Sequence, residues 1–194
     1  MPSLKRVYAA LENRFLDLAC SGKLLTRKTR PVTGQAHATV PTDWYLLKRI
    51  FKALEFDEND TILDVGCGTG RALVFLDRRY PKSRVIGIEL NDEVASMARS
   101  AVSARCTVIS GDVLLHCPPY ANVFYLFNPF DENLMVQFCK DVLNKRDRYT
   151  MIYAVPSFLA AIRKNCTGDV SIKEATIENA LRGLKRNFAV IRKF

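Results

Sequence analysis

The sequence predicts an α/β protein: a seven-stranded, mostly parallel sheet flanked by helices, with N-terminal helices and an antiparallel hairpin at its C-terminal edge. Three observations predict it. First, a short apolar run, Thr61-Ile62-Leu63, leads through Asp64 into a turn with glycines at 66, 68 and 70, and a helix-like segment follows. Strand, glycine turn and helix is how an open sheet lets a ligand touch backbone at the carboxyl end of a strand. Second, short apolar runs alternate with helix-period segments, the pattern of successive βα units. Third, residues 188–194 read F-A-V-I-R-K-F, with the period of a strand. A short connection containing Gly183 joins them to the weakly alternating Val170 to Ile177, so one strand is expected antiparallel at the sheet edge.

The elements follow in order. Leu4, Val7, Tyr8, Leu11, Phe15 and Leu18 form a helical stripe over Leu4 to Ala19, with Ser3 as a candidate N-cap and Ser21-Gly22 as its end. Lys23 to Ala38 is polar and basic and reads as a loop. Thr42 is positioned to cap a second helix, Asp43 to Leu54, striped by Trp44, Leu47, Ile50, Phe51 and Leu54. The crossover helices are Arg71 to Tyr80, stopped by Pro81, and Asp92 to Val102. Strands are expected at Arg84 to Ile88 and Cys106 to Ile109. Ala121 to Phe127 is nearly continuous in apolar residues, as a central parallel strand should be. Glu132 to Leu143 reads as a helix, Tyr149 to Ala154 as a strand, and Ser157 to Lys164 as a short helix.

The glycine spacing narrows the ligand. The dinucleotide fingerprint G-x-G-x-x-G would need a glycine at 71, which is Arg71. No Gly-Lys-Ser/Thr ends the turn, so it is no P-loop. A carboxylate at 64 would repel a pyrophosphate in a low-dielectric crevice but would suit an ammonium group. Glu89 stands at the end of the second strand, 23 residues after Gly66, near the offset of an acid that binds ribose hydroxyls. Asp112 follows the third strand. Asn128-Pro129-Phe130 follows the fourth.

D-V-G-C-G-T-G followed by a helix resembles the first motif of the class I, Rossmann-like, S-adenosylmethionine-dependent methyltransferases. The resemblance covers roughly residues 40–194. It implies S-adenosylmethionine as cofactor, held by Asp64, Gly66, Cys67, Gly68, Gly70, Glu89 and Asp112, with Asp112 at the adenine amino group. Val40-Pro41-Thr42 resembles the entry segment of several small members, including some that modify protein lysines. That places Thr42 and Tyr45 near the methionine end of the cofactor. Asn128, Pro129 and Phe130 resemble the N-P-P-Y motif of members acting on planar nitrogen, with one proline instead of two. The resemblance gives the Asn128 oxygen and the Pro129 carbonyl the role of accepting the target N–H, and Phe130 that of stacking on the acceptor.

At 194 residues the chain is long enough to bury a core without disulfides or metal. We divide it into an N-terminal helix and basic loop, 1–40, a possible lid, and a methyltransferase domain, 41–194. Six cysteines form no C-x-x-C pair, His37 and His116 are the only histidines, and no metal site is expected. No apolar run reaches the ~18 residues of a membrane span. The N-terminus lacks the apolar core of a signal peptide. A cytoplasmic address with no membrane partner is expected. The net charge of +9 is uneven: residues 1–40 hold seven basic and two acidic side chains, residues 41–139 ten and thirteen, and residues 140–194 twelve and five. Basic flanks suit an acidic macromolecule, or serve solubility alone. The leading expectation is methyl transfer to a nitrogen of a protein or RNA. The alternatives are a small-molecule methyltransferase with residues 1–40 as its lid, and a non-catalytic S-adenosylmethionine-binding module.

Overall fold

A computed structural model describes residues 4–26 and 40–194. Its strands are β1 (Thr61–Val65), β2 (Arg84–Glu89), β3 (Thr107–Ser110), β4 (Val123–Phe127), β5 (Tyr149–Ala154), β6 (Val170–Asn179) and β7 (Leu184–Lys193). They form one sheet in the order β3-β2-β1-β4-β5-β7-β6. The apolar runs without alternation became the parallel centre: Leu63 of β1 lies between Ile86 of β2 and Phe124 of β4. Alternate residues feed opposite layers. Ile62, Val85, Val123 and Ile152 face one core, with Trp44, Phe51, Phe75 and Tyr80. Leu63, Ile86, Phe124 and Met151 face the other, with Phe138 and Tyr149. The chain reverses its direction of winding between β1 and β4, and there the strand ends splay into a ligand crevice.

The C-terminal hairpin sits at the edge as expected. The antiparallel strand, however, is β7, which is second from the edge and pairs β5 through Ile152↔Val190. The outermost strand is β6, matched to β7 from Val170↔Lys193 to Asn179↔Leu184.

The helices are α1 (Leu4–Ser21), α2 (Trp44–Ile50), α3 (Arg71–Arg79), α4 (Asp92–Ala101), α5 (Val113–His116), α6 (Glu132–Phe138) and α7 (Leu159–Asn165). Two differ from expectation in ways that matter. The cap of α2 is Asp43, whose carboxylate accepts from the Tyr45 amide at 2.8 Å. Thr42 turns inward instead and shares a 3.0 Å hydrogen bond with the Tyr125 hydroxyl. The expected single helix over Glu132 to Leu143 widens midway: α6 is followed by a π-helical segment, Cys139–Leu143. Helix α5 was not foreseen. It is one turn long, and Asp112 caps it by accepting from the Leu114 amide at 2.9 Å. The proposed cap Ser3 and the basic residues Arg27, Lys28 and Arg30 lie outside the described residues.

Candidate active site

A cleft of about 880 Å³ opens at the carboxyl ends of the parallel strands. It is lined by Thr42, Asp64, Gly66, Cys67, Gly68, Glu89, Asp112, Asn128, Pro129 and Phe130. Gly70 stands back from it. With φ +91° it starts α3, and a Cβ there would lie 3.3 Å from the Ala98 Cβ of α4. Its room serves helix packing.

The turn after β1 is bonded to its neighbour strand. The Gly66 and Cys67 amides both donate to the Ile88 carbonyl, at 2.9 and 3.0 Å. The Gly68 amide donates to Glu89 Oε2 at 2.9 Å, and Glu89 Oε1 accepts from the Asn91 amide at 3.0 Å. These amides are therefore spent within the protein and do not form an anion cradle. Gly66, at φ +72°, also lets the fourth-strand loop close over the turn, since a Cβ would come within 3.1 Å of Pro129. Gly87 does the same inside β2, where a Cβ would meet Leu73 and Cys67.

Asp64 is 3 % exposed, and its Oδ2 has no hydrogen-bond partner among the described residues. Burial first, and then the charge of Glu89, push its carboxyl up to about 8. An orphaned buried carboxyl oxygen is costly, and a ligand ammonium would supply the missing donor. Burial and the same two acids raise the Cys67 thiol, keeping it neutral. With Glu89 offering acceptors for hydroxyls and Asp112 at the far wall, the residues fit a phosphate-free, ammonium-bearing nucleoside. S-adenosylmethionine is such a molecule.

The opposite wall comes from the ends of β4 and β5. Asn128 has φ +44°, and its Oδ1 accepts from the Tyr153 hydroxyl at 2.6 Å. Burial pushes the Tyr153 phenol up to about 12, so it remains a donor, while backbone of Ser157 and Phe158 faces its oxygen. Phe130 is 5 % exposed, its ring tilted against Phe138 at 5.5 Å, so it is mainly a core side chain. Lys185, Arg186 and Asn187 of β7 complete the rim.

Sequence reasoning missed three groups here. Tyr125 and Tyr153 sat inside apolar strand runs and read as core. Arg71 carried a signal that went unused: a cation directly after the glycine turn, where α3 begins. It is buried, and its Nε and Nη2 grip the two oxygens of buried Asp17 at 2.8 and 2.6 Å. Asp17 also accepts from Trp44 Nε1 (2.7 Å) and the Leu25 amide (3.0 Å). Arg71 Nη1 donates to the Thr42 carbonyl at 3.1 Å, so one ion pair fixes α1, the entry segment and the glycine turn together.

Residues 62–146 match the family model described as Methyltransferase domain. A protein-lysine N-methyltransferase of Saccharolobus islandicus is 26 % identical over 38 % of this chain and 48 % of its own length. A tRNA1(Val) (adenine(37)-N6)-methyltransferase of Porphyromonas gingivalis is 40 % identical over 27 % of this chain and 22 % of its own. A trans-aconitate 2-methyltransferase of Enterobacter sp. is 32 % identical over 35 % and 27 %. The chain spans about half or less of the length of these curated relatives. Among solved structures, an RNA methyltransferase from Salinibacter ruber in complex with S-adenosyl-L-homocysteine superposes with a TM-score of 0.57 at 20 % identity. That match covers 79 % of this chain and 92 % of that one, and it speaks to the fold.

Proposed function

We propose that this chain, whose residues 62–146 match a methyltransferase-domain family model, is a class I S-adenosylmethionine-dependent methyltransferase that transfers a methyl group to a planar nitrogen of a protein or RNA. The observation that carries the reading is the Asn128 carboxamide, held at the cleft wall by the 2.6 Å bond from Tyr153. A carboxamide oxygen has two lone pairs. Tyr153 fixes the side chain at the wall, and we assign the Asn128 oxygen to orienting the N–H of a target amino group. The Pro129 residue has no N–H of its own to compete.

Asp64 would hold the cofactor's ammonium, Glu89 its ribose hydroxyls and Asp112 its adenine amino group, with Thr42 at the methionine end. S-adenosylmethionine, when bound, supplies an electrophilic methyl on a sulfonium. The chain's own part is then alignment, and fixing a nucleophile in line supplies much of such an acceleration. A phenol pushed up to about 12 is no base at neutral pH. The arrangement therefore favours a nitrogen that arrives uncharged, which a planar amine or amide does.

The connections after β4 and β5, residues 128–131 and 155–158, are short and leave the cleft open. The basic side chains Lys185 and Arg186 stand on its rim. Both features support a large acidic or phosphate-bearing substrate. The second reading, a small-molecule acceptor, draws on the trans-aconitate relative. Transfer of labelled methyl into a cell extract, separated into protein, RNA and small molecules, tests the choice. Label in the protein or RNA fraction is expected. Label confined to small molecules overturns the macromolecular acceptor.

A further inference from the structure

Helix α1 is amphipathic in an unusual sense: it docks by a largely polar face, on which Leu16 and Cys20 are the apolar side chains packed against the core. Its one buried side chain is Asp17. Asn13 donates from Nδ2 to Asp43 and accepts the Trp44 amide at Oδ1, at 2.8 and 2.9 Å. Glu12 is paired with Arg182. At about 100° per residue, Leu4, Val7, Tyr8, Leu11, Phe15 and Leu18 fall within one stripe about 100° wide, opposite that docked face. All six are exposed, Leu4 at 89 % and Phe15 at 69 %. The stripe expected from the sequence is there, but it faces solvent. Leu181, 84 % exposed, adds to it from the β6–β7 turn, which Lys5 ties to α1 by donating to the Ala180 carbonyl at 2.8 Å.

Charge decides what covers this face. The two acids of α1, Glu12 and Asp17, are both consumed by internal arginines. The charges left exposed along the helix are Lys5, Arg6 and Arg14, with Lys23 just beyond. A second copy of the chain laid on the stripe would bring like charges together. An anionic lipid surface would take the apolar stripe into its acyl boundary and Lys5 and Arg14, which flank the stripe, at its headgroups, while Arg6 lies on the far side of the helix. We propose that α1 is an interfacial helix that seats this protein on anionic membranes, lying in the membrane plane. It is not a span: no helix among the described residues is long and apolar enough to cross a bilayer. Through Asp17, Arg71 and Thr42 the helix is tied to the cleft, so a seated protein carries its active site at the lipid surface.

Sedimentation with vesicles tests this without any catalysis. Wild-type protein should bind vesicles of equal parts phosphatidylcholine and phosphatidylglycerol roughly tenfold or more better than phosphatidylcholine alone. The paired change Leu11→Asp and Phe15→Asp, both on the exposed face, should cut binding by at least about tenfold. Arg14→Glu, at the border of the stripe, should cut the preference for the anionic vesicles several-fold. Unaltered thermal unfolding and S-adenosylhomocysteine binding in the variants would establish that they fold. Absence of vesicle binding by wild type, equal binding to both vesicles, or undiminished binding by the Asp variant overturns the proposal. So does a wild-type dimer, dispersed by the Asp variant, with no vesicle binding, for the stripe would then join two copies.

Discussion

The two walls of the cleft bend their backbones by different means. On the β1–β3 side every positive φ belongs to a glycine: Gly66, Gly68, Gly70 and Gly111. On the β4–β5 side it belongs to Asn128 (φ 44°) and Val155 (φ 52°). Glycine adopts this region freely. A non-glycine residue held there costs about 1–3 kcal/mol, and a β-branched one is an outlier. The first wall is thus relaxed and internally bonded, while the second stores strain at the two strand ends that flank the proposed acceptor position. Strain of that kind persists only where surrounding structure fixes it, here by the Tyr153 bond to Asn128 and the Val155 amide's 2.9 Å bond to the Asn187 carbonyl. A relaxed wall suits a constant ligand, and a strained one suits the residues that must be aimed.

The contrast breaks most severely at the ion pair beneath the relaxed wall. Asp17→Ala leaves Arg71 buried and unpaired, a change worth about 3–5 kcal/mol, and denaturant unfolding should show that loss. A loss below about 1 kcal/mol would mean that Arg71 finds water or another partner.

Crossed substitutions on the two walls come next. Glu89→Ala should weaken S-adenosylmethionine binding roughly tenfold to a hundredfold, as for a lost hydrogen bond to a charged group. Asn128→Gly keeps the backbone angle accessible and removes only the amide. It should lower turnover on the order of tenfold or more and leave cofactor affinity nearly unchanged, since its contact belongs to the transition state. Calorimetry and single-turnover rates on both variants check this. Affinity loss in the Asn128 variant, with turnover per bound cofactor intact, would assign Asn128 to the cofactor wall.

A smaller pair sharpens the strain argument itself. Gly66→Ala should cost about 1–2 kcal/mol for its φ alone, and its new methyl also presses Pro129. Val155→Gly trades relieved strain against chain entropy and should change stability by less than about 1 kcal/mol. Equal and large losses in both, read from denaturant midpoints, would remove the difference between the walls.

The subtlest consequence is protonic. Below about 8 the Asp64 carboxyl of the unliganded protein keeps its proton. The unfolded chain loses that proton near the ordinary aspartate value of 3.8. The folded state thus binds the extra proton between these values, and this group's contribution to stability falls as pH rises through that window. An ammonium beside Asp64 favours the carboxylate, so cofactor binding at pH 7 should release up to about one proton. Calorimetry in buffers of different ionisation heat reads it, and Asp64→Asn should abolish it. Binding with no proton exchange would place the ammonium elsewhere.

Much of the relaxed wall was legible because it is local. Asp64 and Glu89 lie at the carboxyl ends of β1 and β2, the glycine turn and Asp112 follow β1 and β3, and strand ends can be read from apolar runs. Helix α1 was half legible: its period was plain, but periodicity does not say which way a stripe points. The polar residues that dock it, Asn13 and Asp17, find partners at 43, 44 and 71 that no local pattern couples to them. Tyr153 was hidden for the same reason, since its hydroxyl meets Asn128 only through β4–β5 pairing. The place of β7 between β5 and β6 is likewise a non-local outcome that alternation alone left open.

The fastening of α1 also sets an order in time. Glu12 meets Arg182 across 170 residues of chain, and Lys5 reaches Ala180 across 175. At ~5–20 residues per second of synthesis, roughly 10–30 s separate the two halves of that contact. The strands β1 to β5 are complete only roughly 1–6 s before Arg182 is made. During that interval α1 has neither its partner turn nor the completed sheet edge, and its leucines and phenylalanine are open to whatever apolar surface is nearest.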